Sequence, residues 1–377
     1  MEYSRILLNS LKKWYFKGKV LVITGARQVG KTTMLSSLHT DQSSVLWLNA
    51  DLTNVRNQLT DPTLTDLADL IGTKKFVVID EIQRIENPGL LLKLMVDNFK
   101  QTQFIATGSS ALEISEKIFE PLTGRHLLFH LYPFSLAEIY ADKSNFELEQ
   151  ELPFHLIYGS YPTISQNRDD AEILLKNLTS QYLYKDVLVW KDIRKPELLE
   201  KLLQLLAHQI CSEVSIHELA LNLRVKSETV ENYIDLLEKS FVVYRLKSYS
   251  TNARKEVTKM QKILFWDNGI RNAIIDDFRP LSNRNDVGNL WENFIIGERM
   301  KMINWTERSI KSFFWRDLQQ SEVDYIEIEK NKLAGYEIKW NTLKKHKISR
   351  AFTNSYPDAK TQVITPSNLK PFCFFNK

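Results

Sequence analysis

The first third of the chain alternates short apolar runs with polar helical stretches. The runs are KVLVITG, SVLWLNA, KFVVID, QFIATGSS and HLLFHLYPF, most of them bounded by Gly, Asp or Ser. Unbroken apolar runs of this length, separated by helical segments, predict strands buried in a parallel sheet of an α/β layer. Ahead of them, MEYSRILLNSLKKWYFKGK places Ile6, Leu7, Leu11 and Trp14 on one face of an amphipathic helix.

From about residue 135 the period becomes helical. Ser135 and Glu138 form a capping box at the head of SLAEIYA. From 170 to 206 apolar residues recur three and four apart, with a break at Lys195-Pro196. Next come two short helical patterns, VSIHELALNL and SETVENYIDLLEKSFVVYRL, joined by an RVK connector. Ser215 and Glu218 cap the first, and Val230, Ile234, Leu237 and Phe241 line one face of the second. Followed by strands, this order predicts a winged helix-turn-helix. The expected division is a parallel-sheet core over 1–134, a helical lid over 135–205, a winged helix over 206–265 and a mixed α/β domain over 266–377.

Composition narrows the class. A chain of 377 residues exceeds what one hydrophobic core serves. With 43% hydrophobic and 25% charged residues, it reads as a soluble globular protein. The two cysteines, Cys211 and Cys373, exclude a disulfide framework and fit a reducing cytosol, so a cytoplasmic location is expected. No apolar run approaches the roughly 18 residues that span a bilayer, and the first residues lack a signal peptide's apolar block. A net charge of +4 permits a polyanionic partner without requiring one.

LVITGARQVGKTTML holds Gly25, four residues, then Gly30-Lys31-Thr32. By composition that pattern falls by chance in only about 1% of chains of this length. Here it also follows an apolar strand and opens a helix. In that setting glycines let backbone N–H groups curl around phosphate oxygens, and the helix start adds favourable partial charge. The candidate nucleotide-binding residues are Gly25, Ala26, Arg27, Gln28, Val29, Gly30, Lys31, Thr32 and Thr33. Lys31 would neutralise the β- and γ-phosphates of ATP, and the Thr32 hydroxyl would hold Mg²⁺. KFVVIDEIQ ends a buried strand on Asp80 and Glu81. Asp80 would hold Mg²⁺ through water, and Glu81 would orient or deprotonate the attacking water. Thr107, Ser109 and Ser110 close the next strand and could bond that water or the γ-phosphate, or simply cap a helix. Arg125 could stabilise developing phosphate charge in its own subunit or a neighbour's, or stand as a surface arginine.

With these residues assembled, the chain resembles the AAA+ class of P-loop ATPases. In particular it is similar to a prokaryotic family of such ATPases with a C-terminal domain of unknown function. The stretches that carry the resemblance are TGARQVGKTT, VIDEIQ, ATGSSA, LTGRHLLFHLYPFSLAEI, YGSYP at 158–162, VENYIDLLEKSFVVYRL and ILFWDNGIRNAI. NLWENFIIGE and the hairpin discussed next extend it over nearly the whole chain. The resemblance implies an AAA+ core, a winged-helix module, a C-terminal α/β domain of the restriction-endonuclease-like type, and assembly into a homo-oligomer. It supplies no physiological role. Tyr158 stands where the family's GGYP-like turn has its first glycine.

The last third is built around SEVDYIEIEKNKLAGYEIKW, two alternating strands joined by a polar turn. It holds Asp324, then Glu337 and Lys339 one residue apart. An Asp followed by Glu/Asp-x-Lys arises by chance about once per chain of this size, so the motif carries weight only through its placement. In a metal-dependent nuclease, two such carboxylates converge on one or two Mg²⁺ or Mn²⁺ ions, with the lysine on the same strand face beside the attacking water. Glu292 would add a ligand from a preceding helix, with Glu298 in reserve, and Lys344, Lys345, Lys347 and Arg350 follow for phosphate contact. The other reading is an ordinary half-buried hairpin. Arg245, Lys247, Arg254, Lys255, Lys259 and Lys262 against Glu256 describe a basic wing suited to nucleic acid, although winged helices also serve as connectors.

The expectation is therefore an Mg²⁺-dependent ATPase coupled to a DNA-binding winged helix and a nuclease-like domain that cleaves DNA. The alternative is an ATP-driven switch or nucleotide sensor whose nuclease-like domain only binds nucleic acid or protein.

Overall fold

The computed structural model describes residues 3–37, 42–108, 120–182, 195–250, 261–306, 308–341 and 347–374. The five apolar runs form β1 (Val20–Thr24), β2 (Val45–Asn49), β3 (Phe76–Asp80), β4 (Gln103–Gly108) and β5 (His126–His130). They pair in parallel in the order β2-β3-β4-β1-β5. The inner strands β1 and β4 are buried at every position, whereas the edge strands β2 and β5 are mostly half-buried. That difference explains why β1 reads as an unbroken apolar run. The helices Thr53–Leu59, Leu64–Ile71 and Pro88–Asn98 bury Val55, Leu67, Leu92 and Met95 in one core with Val20, Val22, Val77 and Ile79. Each such side chain contributes roughly 1.5–3 kcal/mol of burial.

The second sheet holds six strands: β6 (Val243–Ser248), β7 (Gln261–Phe265), β8 (Ile310–Arg316), β9 (Glu322–Glu329), β10 (Lys332–Ile338) and β11 (Lys360–Ile364). Their order is β11-β10-β9-β8-β6-β7, with β6/β8 and β10/β11 parallel and the other neighbours antiparallel. The expected helix-turn-helix pair is present as Ile216–Leu223 and Ser227–Lys239. The strands read as its wing do not form a small sheet of their own. β6 pairs with β8, and β7 is buried from Lys262 to Phe265, a pattern no solvent-facing wing shows. The chain divides into two compact units, Glu2–Tyr132 with Lys239–Phe241, and Pro133–Glu238 with Val242–Lys377.

Two of the motifs that carried the family resemblance meet inside the second unit. Gly159 has φ 72° and ψ −158°, and a Cβ there would lie 2.0 Å from Asp267 Oδ1. The Asp267 carboxylate accepts from Ser160 N at 2.7 Å and from Ile270 N at 3.1 Å, so it caps the helix Asn268–Ile274 while holding the YGSYP turn. Tyr158, the departure from the family's turn, stacks on Phe278. YGSYP and FWDNGIR are therefore a structural clasp. The helix Val287–Trp305 is buried on most sides and spends its polar groups internally. Asn293 pairs with both backbone groups of Phe265. Glu298, the reserve metal ligand, instead accepts from Leu136 N at 2.6 Å and from Lys301 at 2.7 Å.

Candidate functional site

The phosphate loop leaves β1 at Gly25. A Cβ at that position would stand 2.2 Å from the Leu131 carbonyl oxygen, so only glycine fits. Positive φ at Gln28 (59°) and Gly30 (89°) curls the following residues into a turn that leads into the helix Lys31–Ser36. Lys31 is buried and donates to the Gly25 and Ala26 carbonyl oxygens at 2.8 and 3.0 Å, which closes the curl. Ala26 and Val29 anchor the loop in the core, and Thr32 and Thr33 are exposed at its rim.

Asp80 ends β3, one strand removed from β1, and β4 runs between them. Thr107 on β4 pairs with Ile23 of β1, and on its other side its hydroxyl donates to Asp80 Oδ1. The second Asp80 oxygen, Oδ2, accepts from Thr32 Oγ1 at 2.9 Å. The loop threonine, the strand-end carboxylate and the β4 threonine thus form one hydrogen-bonded cluster. Glu81 sits beside it in the left-handed region (φ 54°), where a non-glycine residue is strained. Its N–H approaches Thr107 Oγ1 at 3.4 Å, and its Oε2 accepts from the Gln83 amide at 2.6 Å. Gln83, buried and unmentioned by the motif, was legible only as part of DEIQ. Ser109 and Ser110 lie outside the described residues.

Arg125 is not part of this cluster. It precedes β5, and its carbonyl accepts from Val20 N, the first residue of β1. The sheet is parallel, so Arg125 stands at the edge opposite the phosphate loop, roughly 13 Å of strand away. Its guanidinium pairs with Asp97 at 2.8 Å. A role at its own chain's nucleotide is excluded by this topology.

The second candidate site gathers residues in a different set from that read in the sequence. Asp324 on β9 and Glu337 on β10 are bridged by Lys339, whose ammonium lies 3.0 and 2.8 Å from their oxygens. Asp324 Oδ2 also accepts from Ile338 N at 2.7 Å. Among the described residues, the three carboxylates that lie within 4.8 Å of one another are Glu292, Glu322 and Asp324, a trio that does not include Glu337. Glu322 was missed, although it lies two residues before Asp324 and hence on the same strand face. Between Glu292 and Glu322 sits the ammonium of Lys262, 2.8 Å from the first and in close contact with the second. Burial pushes the Glu292 and Glu337 carboxyls upward, and the Asp324 charge adds to this. Burial alone would lower the Lys262 ammonium, but Glu292 and Glu322 hold it above its ordinary range. The donor set expected for a nuclease metal does not fit a divalent ion here, because each of the three convergent carboxylates already holds an ammonium.

Of the wing cations among the described residues, Arg245 and Lys262 are paired. Arg245 pairs with Glu231, Asp235 and Glu238 on the second helix of the helix-turn-helix. Lys262 is buried, and Lys247 is exposed. Arg254, Lys255, Lys259, Lys344 and Lys345 lie outside the described residues. Lys347 is exposed, as is Arg350 at the head of the helix Arg350–Ser355.

A five-stranded parallel sheet with a glycine-lysine-threonine loop after β1 and an acidic pair after β3 defines a P-loop fold of the AAA type. Comparison with known proteins places the chain more closely. Residues 17–140 match the model of a family described as an AAA domain. Residues 149–281 and 287–371 match two families described as domains of unknown function, DUF8612 and DUF4143. The chain thus carries an AAA domain with a P-loop, followed by two regions that match domains of unknown function. An uncharacterized protein of Mycobacterium tuberculosis is 26% identical over 365 residues, covering 94% of this chain and 78% of the relative. One of Methanocaldococcus jannaschii is 24% identical over 394 residues, covering 97% and 85%. Among solved structures, the Walker-type ATPase of Pyrococcus abyssi is 16% identical with a TM-score of 0.46, over 72% of this chain and 94% of that one. Among the described residues no helix is long and apolar enough to cross a membrane.

Proposed function

We propose that the chain is an Mg²⁺-dependent ATP hydrolase that uses nucleotide state as a switch for its C-terminal unit. The observation that carries this reading is the single hydrogen-bonded cluster of Thr32, Asp80 and Thr107 beside a loop closed by Lys31. The loop's backbone and Lys31 bind the phosphates, and Thr32 and Asp80 are the oxygen donors that fit a hard cation. Bound Mg²⁺ would neutralise charge on the phosphate oxygens. Glu81 orients the attacking water and accepts its proton, with Gln83 fixing the carboxylate by its amide. Thr107 holds Asp80 and the Glu81 backbone in register with each other. Arg125 serves a neighbouring copy if it serves a phosphate at all, which makes homo-oligomeric assembly part of the proposal.

For the C-terminal unit, the reading favoured is the non-cleaving one: a domain of nuclease-like sequence pattern that binds nucleic acid or protein. The ion pairing of Lys262 and Arg245 supports it over a metal-dependent nuclease with a basic, DNA-reading wing. The helix-turn-helix then serves as a connector, with the lid and winged-helix boundaries at 135–205 and 206–265 as divisions within one unit.

The test is hydrolysis of ATP by the full chain with Mg²⁺, wild type against Lys31→Ala. Loss of at least about 100-fold in rate is expected from removing a phosphate-neutralising charge. Hydrolysis at an unchanged rate removes the nucleotide reading.

A further inference from the structure

We infer that Lys262 is the resident cation of the acidic cluster Glu292–Glu322–Asp324, so that the chain itself closes this site to divalent metal. The inference deepens the non-cleaving reading of the C-terminal unit and is independent of ATP hydrolysis.

Lys262 is 1% exposed, and its ammonium contacts Glu292 and Glu322 on separate elements, the helix Val287–Trp305 and β9. These are two of the three carboxylates that lie within 4.8 Å of one another. The third, Asp324, is taken by Lys339 and by Ile338 N. A divalent ion could enter only by sharing oxygens with a buried ammonium a few ångströms away, and like charges at that range repel strongly out of water.

Lys262 is held from several sides among the described residues. Its backbone is held in β7, paired with Leu246 of β6 on one side and bridged to Glu213 on the other. Its Nζ also lies 5.2 Å from the Phe314 ring centroid, so an aromatic face backs the charge. Arg316 reaches the same edge, 3.2 Å from Glu213 and 3.7 Å from Glu322. A lysine this enclosed is a fixed part of the cluster rather than a mobile counter-ion. Its removal leaves Glu292, Glu322 and Asp324 convergent and short of the one ammonium that Glu292 and Glu322 share, with Lys339 still on Asp324, an oxygen set that a hard cation can take.

The experiment is titration of Mn²⁺ alone into the full chain without nucleotide, read by the free-Mn²⁺ electron paramagnetic resonance signal and by thermal melting. An Asp80→Asn background removes the P-loop donor from the count. In that background, wild-type Lys262 and Lys262→Arg are expected to show no site dependent on Asp324. Lys262→Met and Lys262→Gln are expected to bind Mn²⁺ about ten-fold more tightly or better, with a melting temperature that rises on adding the ion. Adding Asp324→Asn to Lys262→Met returns binding to the starting level. The inference is overturned if folded Lys262→Met and Lys262→Gln gain no site. It is equally overturned if the chain with Lys262 intact binds Mn²⁺ and loses that binding on Asp324→Asn, a comparison that needs neither Lys262 variant to fold. ATP hydrolysis with Asp80 intact is read separately, so loss of the switch reading and loss of this one are distinguishable.

Discussion

Replacing Thr107 by valine keeps the shape of a fully buried β4 side chain and deletes one hydroxyl. That hydroxyl donates to Asp80 Oδ1 and lies 3.4 Å from Glu81 N, so one atom aligns both acidic residues of the site. A hydrogen bond to a charged acceptor is worth about 1.5–3 kcal/mol, and its loss leaves a buried carboxylate oxygen unmatched. For a unit of this size, a cost of about 2 kcal/mol lowers the melting temperature by roughly 4–8 °C. Thr32 still donates to Asp80 Oδ2, so the carboxylate is retained but loses its second restraint. Misplacing a catalytic group by about 1 Å costs up to about 100-fold in rate. The phosphate loop makes no contact through Thr107, so the Michaelis constant for ATP should stay within about three-fold, because uniform binding is untouched. The assay is steady-state phosphate release at saturating Mg²⁺, paired with thermal melts. A variant that melts lower yet keeps its kcat within about two-fold would refute the reasoning: Thr107 would then be a tether for the strand end and no part of the site.

Other consequences are open to direct measurement. Gly159→Ala should cost roughly 3 kcal/mol or more in stability, since the backbone there suits only glycine and the added methyl meets the Asp267 carboxylate; a urea melt within about 1 kcal/mol of wild type would contradict the clasp. His155 is buried between Tyr140 and Ser160, and burial pushes its imidazole down to about 4 from an ordinary 6.5. Its contribution is therefore complete above pH 6.5 and is lost as the pH falls from there toward 4, because only the unfolded chain takes up the proton in that window. The loss reaches up to about 3 kcal/mol. His155→Gln should flatten the stability profile between pH 6.5 and 4.5, and an unchanged slope would assign the pH dependence to other groups.

What sequence pattern could reveal here follows from which interactions are local. The inner strands of the parallel sheet were readable because strands buried on both faces must be continuously apolar, and the half-buried edge strands β2 and β5 still read as short apolar runs between helical segments. The phosphate loop was readable for a similar reason. Its chemistry needs glycine at turns with positive φ or close backbone approach, and a lysine at a fixed covalent distance, so Gly25, Gly30 and Lys31 are constrained by neighbours along the chain. Asp80 was placed by its strand end. The structure adds that Thr107, on the strand inserted between β1 and β3, holds one Asp80 oxygen while Thr32 of the loop holds the other.

The C-terminal unit shows the opposite case. Alternation alone put Glu337 and Lys339 on one face of their strand, and it could have added Glu322 beside Asp324, two residues earlier. It could not say that Lys262, distant in sequence and counted as part of an exposed basic wing, would lie 1% exposed among those acids. Arg245, read the same way, is spent on three carboxylates of the preceding helix. Nor could it say that Arg125 stands at the far edge of a parallel sheet, since that depends on strand direction relative to β1. By itself, then, the sequence determined the strands, the phosphate loop and the strand-end acids, because each is set by residues a few positions apart. Tertiary structure alone decided which charges meet, because an ion pair forms between side chains that only the pairing of sheets and helices brings within reach.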